Sequence, residues 1–378
     1  MKQELLAVVG ARPNFVKLAP VLHALGASDV RPRVLHTGQH YDRLLSGAFL
    51  EQLEFPPVEF ALGVGSGSHA EQTAGVMVGV ERVLSEEPEL RTLLVVGDVN
   101  STMAAAIGAA KLGVRIIHLE SGLRSGDWQM PEEINRALTD RVSDLLLCHS
   151  QGAVENLRRE GVPEERVRLV GNTMIDSLLR LLPVAERTGA LARRGLEPRS
   201  YVLVTLHRPA LVDDAERFRA VIEVLGRVGQ RLPVVMPLHP RTRARLKEHD
   251  LGALPNVRAE DPLEYLEFVA LEASARLVIT DSGGVQEETS ALGVPCVTYR
   301  TTTERPITTT HGTNRVVGVD PIALERACGE ALADAPPASA PSLPLWDGHA
   351  GVRAAEAIAD AMREWARLDA GRPASAVG

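Results

Sequence analysis

Three carboxylates stand where a parallel α/β chain would hold a ligand. Asp98 ends the apolar run Leu93–Gly97, Glu120 ends the apolar run Arg115–Leu119, and Glu132 lies in Pro131-Glu132-Glu133, which reads as a helix first turn with proline near its start. Parallel α/β sheets place ligands beyond the carboxyl ends of their strands, so the three would converge on one crevice. Taken singly, Asp98 reads equally as a cap for the helix beginning near Ser101, and Glu132 as a complement to a helix dipole. Glu120 is different, because a carboxylate directly after Val114-Arg115-Ile116-Ile117-His118-Leu119 has little structural reason to be there. Together they make a functional crevice the better reading.

Two further stretches have the chemistry of anion sites. Gly10-Ala11-Arg12-Pro13-Asn14 joins the strand Glu4–Val9 to the helix Phe15–Leu25, and free N–H groups at such a helix start attract phosphate. Arg12 and Lys17 bracket that turn. It lacks the GxGxxG spacing of a dinucleotide fingerprint, so no nicotinamide or flavin cofactor is indicated. Ser282-Gly283-Gly284, between the strand Leu277–Thr280 and the helix Val285–Leu292, is a second phosphate cradle. Glu287 and Glu288 fall in that helix's first turns, where one of them can bind ribose hydroxyls, Glu287 reading equally as a complement to the helix dipole. His207, next to Arg208 at the end of the strand Tyr201–Leu206, is a candidate phosphate ligand or acid/base group.

Stepping along the chain, βα units recur twice. Strands are expected at Glu4–Val9, Arg33–His36, Leu93–Gly97, Arg115–Leu119, Asp144–Cys148 and Val167–Val170, then at Tyr201–Leu206, Pro233–Leu238, Leu277–Thr280 and Val294–Tyr299. A long helical piece, Ser177–Arg194, bridges the halves, Asp213–Gly229 is an amphipathic helix, and Gly63–Ser68 is either a lid or a place where backbone closely approaches a ligand. His23, His36 and His69 share no spacing and read as non-catalytic. The expected fold is α/β, with two Rossmann-like domains facing a cleft. The first is 1–176, joined by a C-terminal helix, 351–378, and the second is 177–350. Two phosphate-type sites facing each other suit a nucleotide-linked substrate.

Composition narrows the classes. A chain of 378 residues with 45% apolar and 24% charged residues is long enough for two cores. A net charge of −8 argues against a nucleic-acid surface. Cys148, Cys296 and Cys328 lack metal-knuckle spacing and fit a reducing, cytoplasmic setting. No apolar stretch is long enough to span a membrane, and no signal peptide is evident at the start.

At GARPNFVK, HTGQHYD, GDVNST, HLESGLRS, MPEEINR, VTLHRP, HPRT, DSGGVQEE and TTERP the chain closely resembles the non-hydrolysing UDP-N-acetylglucosamine 2-epimerases. The resemblance implies the GT-B architecture and a homodimer. It also implies interconversion of UDP-GlcNAc and UDP-ManNAc without metal or NAD, by elimination and re-addition of UDP, for cell-surface polysaccharide synthesis. It puts acid/base roles on Asp98, Glu120 and Glu132, and diphosphate contact on His207. Arg12, Lys17, Ser282, Gly283, Gly284, Glu288 and Arg305 are implied to bind the UDP-sugar. HTGQHYD and SGSHAEQT are also similar to 2-epimerases of UDP-2,3-diacetamido-glucuronate, whereas TTTERPITTTHGTN looks more like the UDP-GlcNAc branch; a GT-B glycosyltransferase is the other alternative. Gln39 and His40 match the regulated bacterial branch, but Asp42 stands where that branch has Gln and the Gly63–Ser68 loop has no Arg. Hyperbolic kinetics without substrate activation are therefore expected.

Overall fold

A computed structural model describes residues 2–38, 47–249, 256–335, 337 and 339–370; Gln39, His40 and Asp42 lie outside them. The chain forms two compact units, Met1–Ser177 with Pro344–Gly378 (unit 1) and Leu178–Leu343 (unit 2).

Unit 1 is built on a parallel seven-stranded sheet of order β3-β2-β1-β4-β5-β6-β7. Its strands are β1 (Gln3–Val9), β2 (Val30–His36), β3 (Val58–Ala61), β4 (Thr92–Val96), β5 (Arg115–Ser121), β6 (Leu145–Cys148) and β7 (Val167–Leu169). The inner strands are continuous apolar runs because helices cover both faces, and β4 is buried along its whole length. Strand order reverses direction between β1 and β4, the switch point where doubly wound sheets open a crevice. Register fixes what reaches that edge: Leu6 pairs with Leu93 and Val96 with Leu119, so Gly10, Gly97 and Glu120 emerge at one level. The alanine-rich helix Asn100–Lys111 packs close beneath, burying Ala104, Ala105 and Ala109 with Leu6, Val8, Leu93 and Val95.

The helix Ala350–Ala370 returns to unit 1 along the helix Arg12–Gly26. A side chain at Gly351 would meet Pro20 at 2.6 Å, Gln3 Nε2 donates to the Met362 carbonyl at 3.2 Å, and Asp176 accepts from the Ala350 and Gly351 N–H groups at 3.2 and 2.6 Å.

Unit 2 holds a parallel six-stranded sheet of order β10-β9-β8-β11-β12-β13. The strands are β8 (Val202–Thr205), β9 (Val234–Pro237), β10 (Val257–Glu260), β11 (Leu277–Thr280), β12 (Cys296–Thr298) and β13 (Asn314–Val316). Its switch point lies between β8 and β11, and its core runs from Val202 and Val204 through Phe218 and Leu225 to Ile279 and Val297. The two Rossmann-like parallel units of the GT-B type are thus the observed fold.

Local differences have local causes. The first helix begins at Arg12 and not Phe15, since Pro13 is suited to a first turn. The expected helix over 177–194 is instead Thr173–Glu186, followed by a short 3₁₀ turn, Ala192–Arg194. The expected helix over 213–229 is Ala215–Val228, capped by the Asp214 carboxylate accepting from Arg217 N–H at 3.0 Å. The Gly63–Ser68 loop is tied to the turn after β2, Val64 and Gly65 N–H donating to the Thr37 and Gly38 carbonyls at 3.0 and 2.9 Å.

Candidate functional site

At the carboxyl edge of unit 1, Lys17 and Glu120 form a buried ion pair. Glu120 holds a left-handed backbone (φ +68°) at a register slip between Leu119 and Ser121 against β6. A bulge re-aims the side chain that sits on it, and a non-glycine residue held there costs roughly 1–3 kcal/mol. Gly97 faces the pair: a Cβ there would lie 3.3 Å from Glu120 Oε2 and 3.7 Å from Lys17 Nζ. Asn14 locks this corner, accepting from the Gly10 and Ala11 N–H groups at 3.1 and 2.9 Å and donating to the Val96 carbonyl at 3.2 Å. Arg12 is half-buried at the first position of its helix.

Asp98, one residue past Gly97, pairs with Arg136 at 2.5 Å. The same guanidinium, itself buried, pairs with Glu133. Glu133 also accepts from Ser125 N–H at 2.9 Å, Ser125 Oγ at 3.0 Å and Gly126 N–H at 2.9 Å. Burial pushes Glu133 up, but those loop donors and Arg136 outweigh it and hold the carboxyl below its ordinary value. Glu132, half-buried on the same helix Pro131–Val142, makes no hydrogen bond or ion pair among the described residues. Adjacent glutamates therefore divide: Glu133 is structural and Glu132 is open.

Under the Gly97 turn lies His118, with Nδ1 2.6 Å from Asp140 and Nε2 2.8 Å from the Gly97 carbonyl. Asp140 also accepts from Gly122 N–H at 3.1 Å and pairs with Arg124 at 2.8 Å. Burial pushes Asp140 up, yet His118 and Arg124 more than offset this and lower it. His69 does not touch the carboxylates; it accepts from Asn100 Nδ2 at 2.9 Å, and Asn135 donates both to Asn100 Oδ1 at 3.2 Å and to the Asp98 carbonyl at 2.9 Å.

In unit 2 the turn after β11 is built from beneath. Buried Asp281 accepts from the His207 and Arg208 N–H groups at 2.9 and 2.8 Å, and its other carboxyl oxygen lies 3.0 Å from His207 Nδ1. Burial pushes Asp281 up, and His207 with the two N–H groups reverses that. With Nδ1 held, the half-exposed His207 ring presents Nε2, 5.4 Å centroid to centroid from His239. Gly283 and Gly284 open the helix Gly283–Leu292, whose first N–H groups have no partner within the helix. No side chain fits at Gly283, because a Cβ would sit 2.5 Å from Arg305 Nη1. Arg305, 5% exposed, lies under the turn against Glu287 (2.9 Å) and Glu304. Glu304 also pairs with Arg300 at 2.8 Å; its burial is outweighed by both arginines, which hold it well below the carboxylate range. Glu288 accepts from Tyr265 O–H at 3.0 Å. Glu287 is thus taken by Arg305, and Glu288 is the glutamate left beside the cradle.

Arg136, Asn14, Asp281 and the His118–Asp140 pair were not singled out from sequence. Two signals were present: Glu133 and Arg136 share a helix face at i,i+3 spacing, and Asp281 follows a buried strand just as Asp98 does. Among the described residues no group of His, Cys, Asp and Glu is arranged to hold a metal, and no helix is long and apolar enough to cross a membrane.

Paired Rossmann-like sheets of this kind make the chain a GT-B-type protein, the architecture of nucleotide-sugar enzymes. Residues 23–359 match the family model described as UDP-N-acetylglucosamine 2-epimerase. The chain is 40% identical over 325 residues to the UDP-N-acetylglucosamine 2-epimerase of Methanocaldococcus jannaschii, covering 83% of this chain and 88% of that protein. It is 41% identical over 319 residues to the UDP-2,3-diacetamido-2,3-dideoxy-D-glucuronate 2-epimerase of Pseudomonas aeruginosa, again 83% and 88%. The crystal structure of the M. jannaschii UDP-GlcNAc 2-epimerase in complex with UDP-GlcNAc and UDP superposes with a TM-score of 0.87 at 37% identity, covering 96% of this chain and 99% of that one. The chain belongs to the UDP-N-acetylglucosamine 2-epimerase family and is an enzyme of the isomerase class.

Proposed function

We propose that this enzyme interconverts UDP-N-acetylglucosamine and UDP-N-acetylmannosamine by eliminating UDP and adding it back. The C2 hydrogen is not acidic, since it lies beside an amide nitrogen and not a carbonyl. Departure of UDP from C1 must therefore help break the C–H bond. UDP takes the C1–O electron pair, a carboxylate takes the C2 proton, and the C–H pair becomes the double bond of 2-acetamidoglucal. Return delivers a proton to the opposite face of C2 while a diphosphate oxygen re-forms the C1 bond. Inversion thus needs at least two placed acid/base groups, and the oxocarbenium-like transition state needs negative charge nearby.

The observation that carries the reading is the division among the three carboxylates. Asp98 and Glu120 are ion-paired at adjacent strand ends, while Glu132, on a helix tied to Asp98 through Arg136, has no partner among the described residues. Paired carboxylates supply fixed charge; the unpartnered one exchanges a proton without first giving up a partner. On this reading His207 Nε2 and Arg12 meet the leaving diphosphate, Ser282, Gly283 and Gly284 offer N–H groups to it, Glu288 binds ribose, and Arg305 supports that turn. Lys17 serves Glu120 rather than the nucleotide. The enzyme works as a cytoplasmic homodimer, without metal or NAD.

Incubation with UDP-GlcNAc in D₂O, followed by NMR, tests this. UDP-ManNAc bearing deuterium at C2 is expected, with traces of UDP and 2-acetamidoglucal; full retention of the original C2 hydrogen overturns the elimination. A second substrate is favoured by the nearly equal identity to the UDP-2,3-diacetamido-glucuronate enzyme. Turnover of that sugar with a kcat/KM well above that for UDP-GlcNAc would replace the first choice.

A further inference from the structure

Glu272 lies on the helix Tyr265–Ser274 in unit 2 and is 0% exposed. Neither of its carboxyl oxygens finds a donor among the described residues. What faces it is another acceptor, the carboxylate of Glu288, also buried, on the helix Gly283–Leu292. Glu288 in turn accepts from Tyr265 O–H at 3.0 Å, so the helix that carries Glu272 approaches Glu288 with two side chains seven positions apart. Two carboxylates buried in contact cannot both ionise, because neither desolvation nor like-charge repulsion is relieved. Burial, and then the Glu288 charge, push Glu272 well above the ordinary carboxylate range. A buried acid that keeps its proton is a hydrogen-bond donor.

We infer that Glu272 is a positioning residue for nucleotide recognition, a neutral carboxylic acid whose O–H donates to Glu288 and aims that carboxylate at the vicinal hydroxyls of a ribose. This rests on the reading of Glu288 as a nucleotide-binding residue. Tyr265 and Glu272 then fix the Glu288 carboxylate through two donors, and its remaining lone pairs accept from the sugar. Such a device works against stability: a leucine at 272 would satisfy the same cavity without burying polar atoms. It is retained for orientation.

The test compares UDP with 2′,3′-dideoxyuridine diphosphate, which keeps base and diphosphate and lacks the hydroxyls, by calorimetric titration of the full-length enzyme. In E272L, UDP affinity is expected to fall roughly tenfold, the scale of one hydrogen bond to a charged group. Affinity for the dideoxy analogue stays where it was, Tm does not fall, and the loss in turnover shows in KM more than in kcat. E272Q, whose amide still donates to Glu288, is expected to retain most of the preference for UDP. Equal weakening of both nucleotides in E272L, or of neither, overturns the inference. E288Q separates the two levels: if it abolishes the preference for UDP while E272L does not, only the role of Glu272 falls. If E288Q leaves the preference intact, the reading of Glu288 falls and takes this inference with it. Infrared spectra in D₂O at neutral pH give an answer independent of folding of the leucine variant. A protonated carboxylic-acid band present in the wild type and lost in E272Q is expected, and its absence from the wild type overturns the proposal.

Discussion

The two units present their candidate functional groups by different means. Unit 1 offers side chains at strand ends, each steadied by a partner from another element: Lys17 on Glu120, Arg136 on Asp98. Unit 2 offers the backbone of one turn, with charges packed underneath: Arg305 between Glu287 and Glu304, Asp281 below His207. Backbone conformation differs accordingly, with Glu120 at φ +68° and Ser282 at an ordinary −84°. Side-chain presentation concentrates the cost on the functional residue itself. Backbone presentation moves it to the buried charges packed beneath the turn.

This contrast can be broken most directly at the carboxylates. D98N, E120Q and E132Q should each lower kcat by ~10²-fold or more while leaving UDP affinity within a few-fold. A loss seen mainly in UDP binding would end the division of labour. Next come the buried arginines. R136M and R305M each strip a partner from buried carboxylates and should each cost about 3 kcal/mol in urea unfolding. Their effects on turnover should part, kcat falling for R136M and KM rising for R305M. Third, G283A forces a methyl against Arg305 and should destabilise by about 1–3 kcal/mol, read as a lowered Tm, with weakened UDP binding.

Acid sharpens the comparison further. Asp140 is lowered in the folded state, so its stabilisation is fully present above the ordinary value of 3.8 and drains away as pH falls through the folded value. D140N should be less stable than wild type at neutral pH, and the gap should close on acidification; a gap that is constant with pH would remove the charge argument. The smallest effect is at Glu120. E120G should be more stable than E120A by about 1 kcal/mol, since glycine accepts the left-handed backbone.

Central strands such as β4 and β11 were legible as fully buried apolar runs that no surface alternation interrupts. Of the edge strands, Val167–Leu169 was expected and the other three were not. Val58–Ala61, Val257–Glu260 and Asn314–Val316 are short, partly exposed and mixed in composition, so pairing and not pattern makes them strands. The strand-end residues Asp98, Glu120 and His207 were visible because polarity ends an apolar run. Arg136 and Asp281 carried weaker signals, a shared helix face and a strand end, but each takes its meaning from a partner 38 or 74 positions away. The strain at Glu120 left no trace: the residue type marks the position, and only the register slip against β6 shows the backbone that carries it.

The return of Ala350–Ala370 to the first helix has a consequence for how the chain is made. Residues Met1–Ser177 leave the ribosome well before the helix that covers Pro20 and accepts the Gln3 amide. All of Leu178–Leu343 is synthesised in between. At ordinary elongation rates that is a wait on the order of ten seconds or more, during which unit 2 completes and unit 1 keeps an open seam. Ala354, Ala355, Ile358 and Met362, buried in the finished protein, are what close it. Nascent chains stalled before residue 350 should therefore carry a finished second unit and a first unit that recruits chaperones, so that the order of synthesis, and not the order of the fold, decides which half of the enzyme matures first.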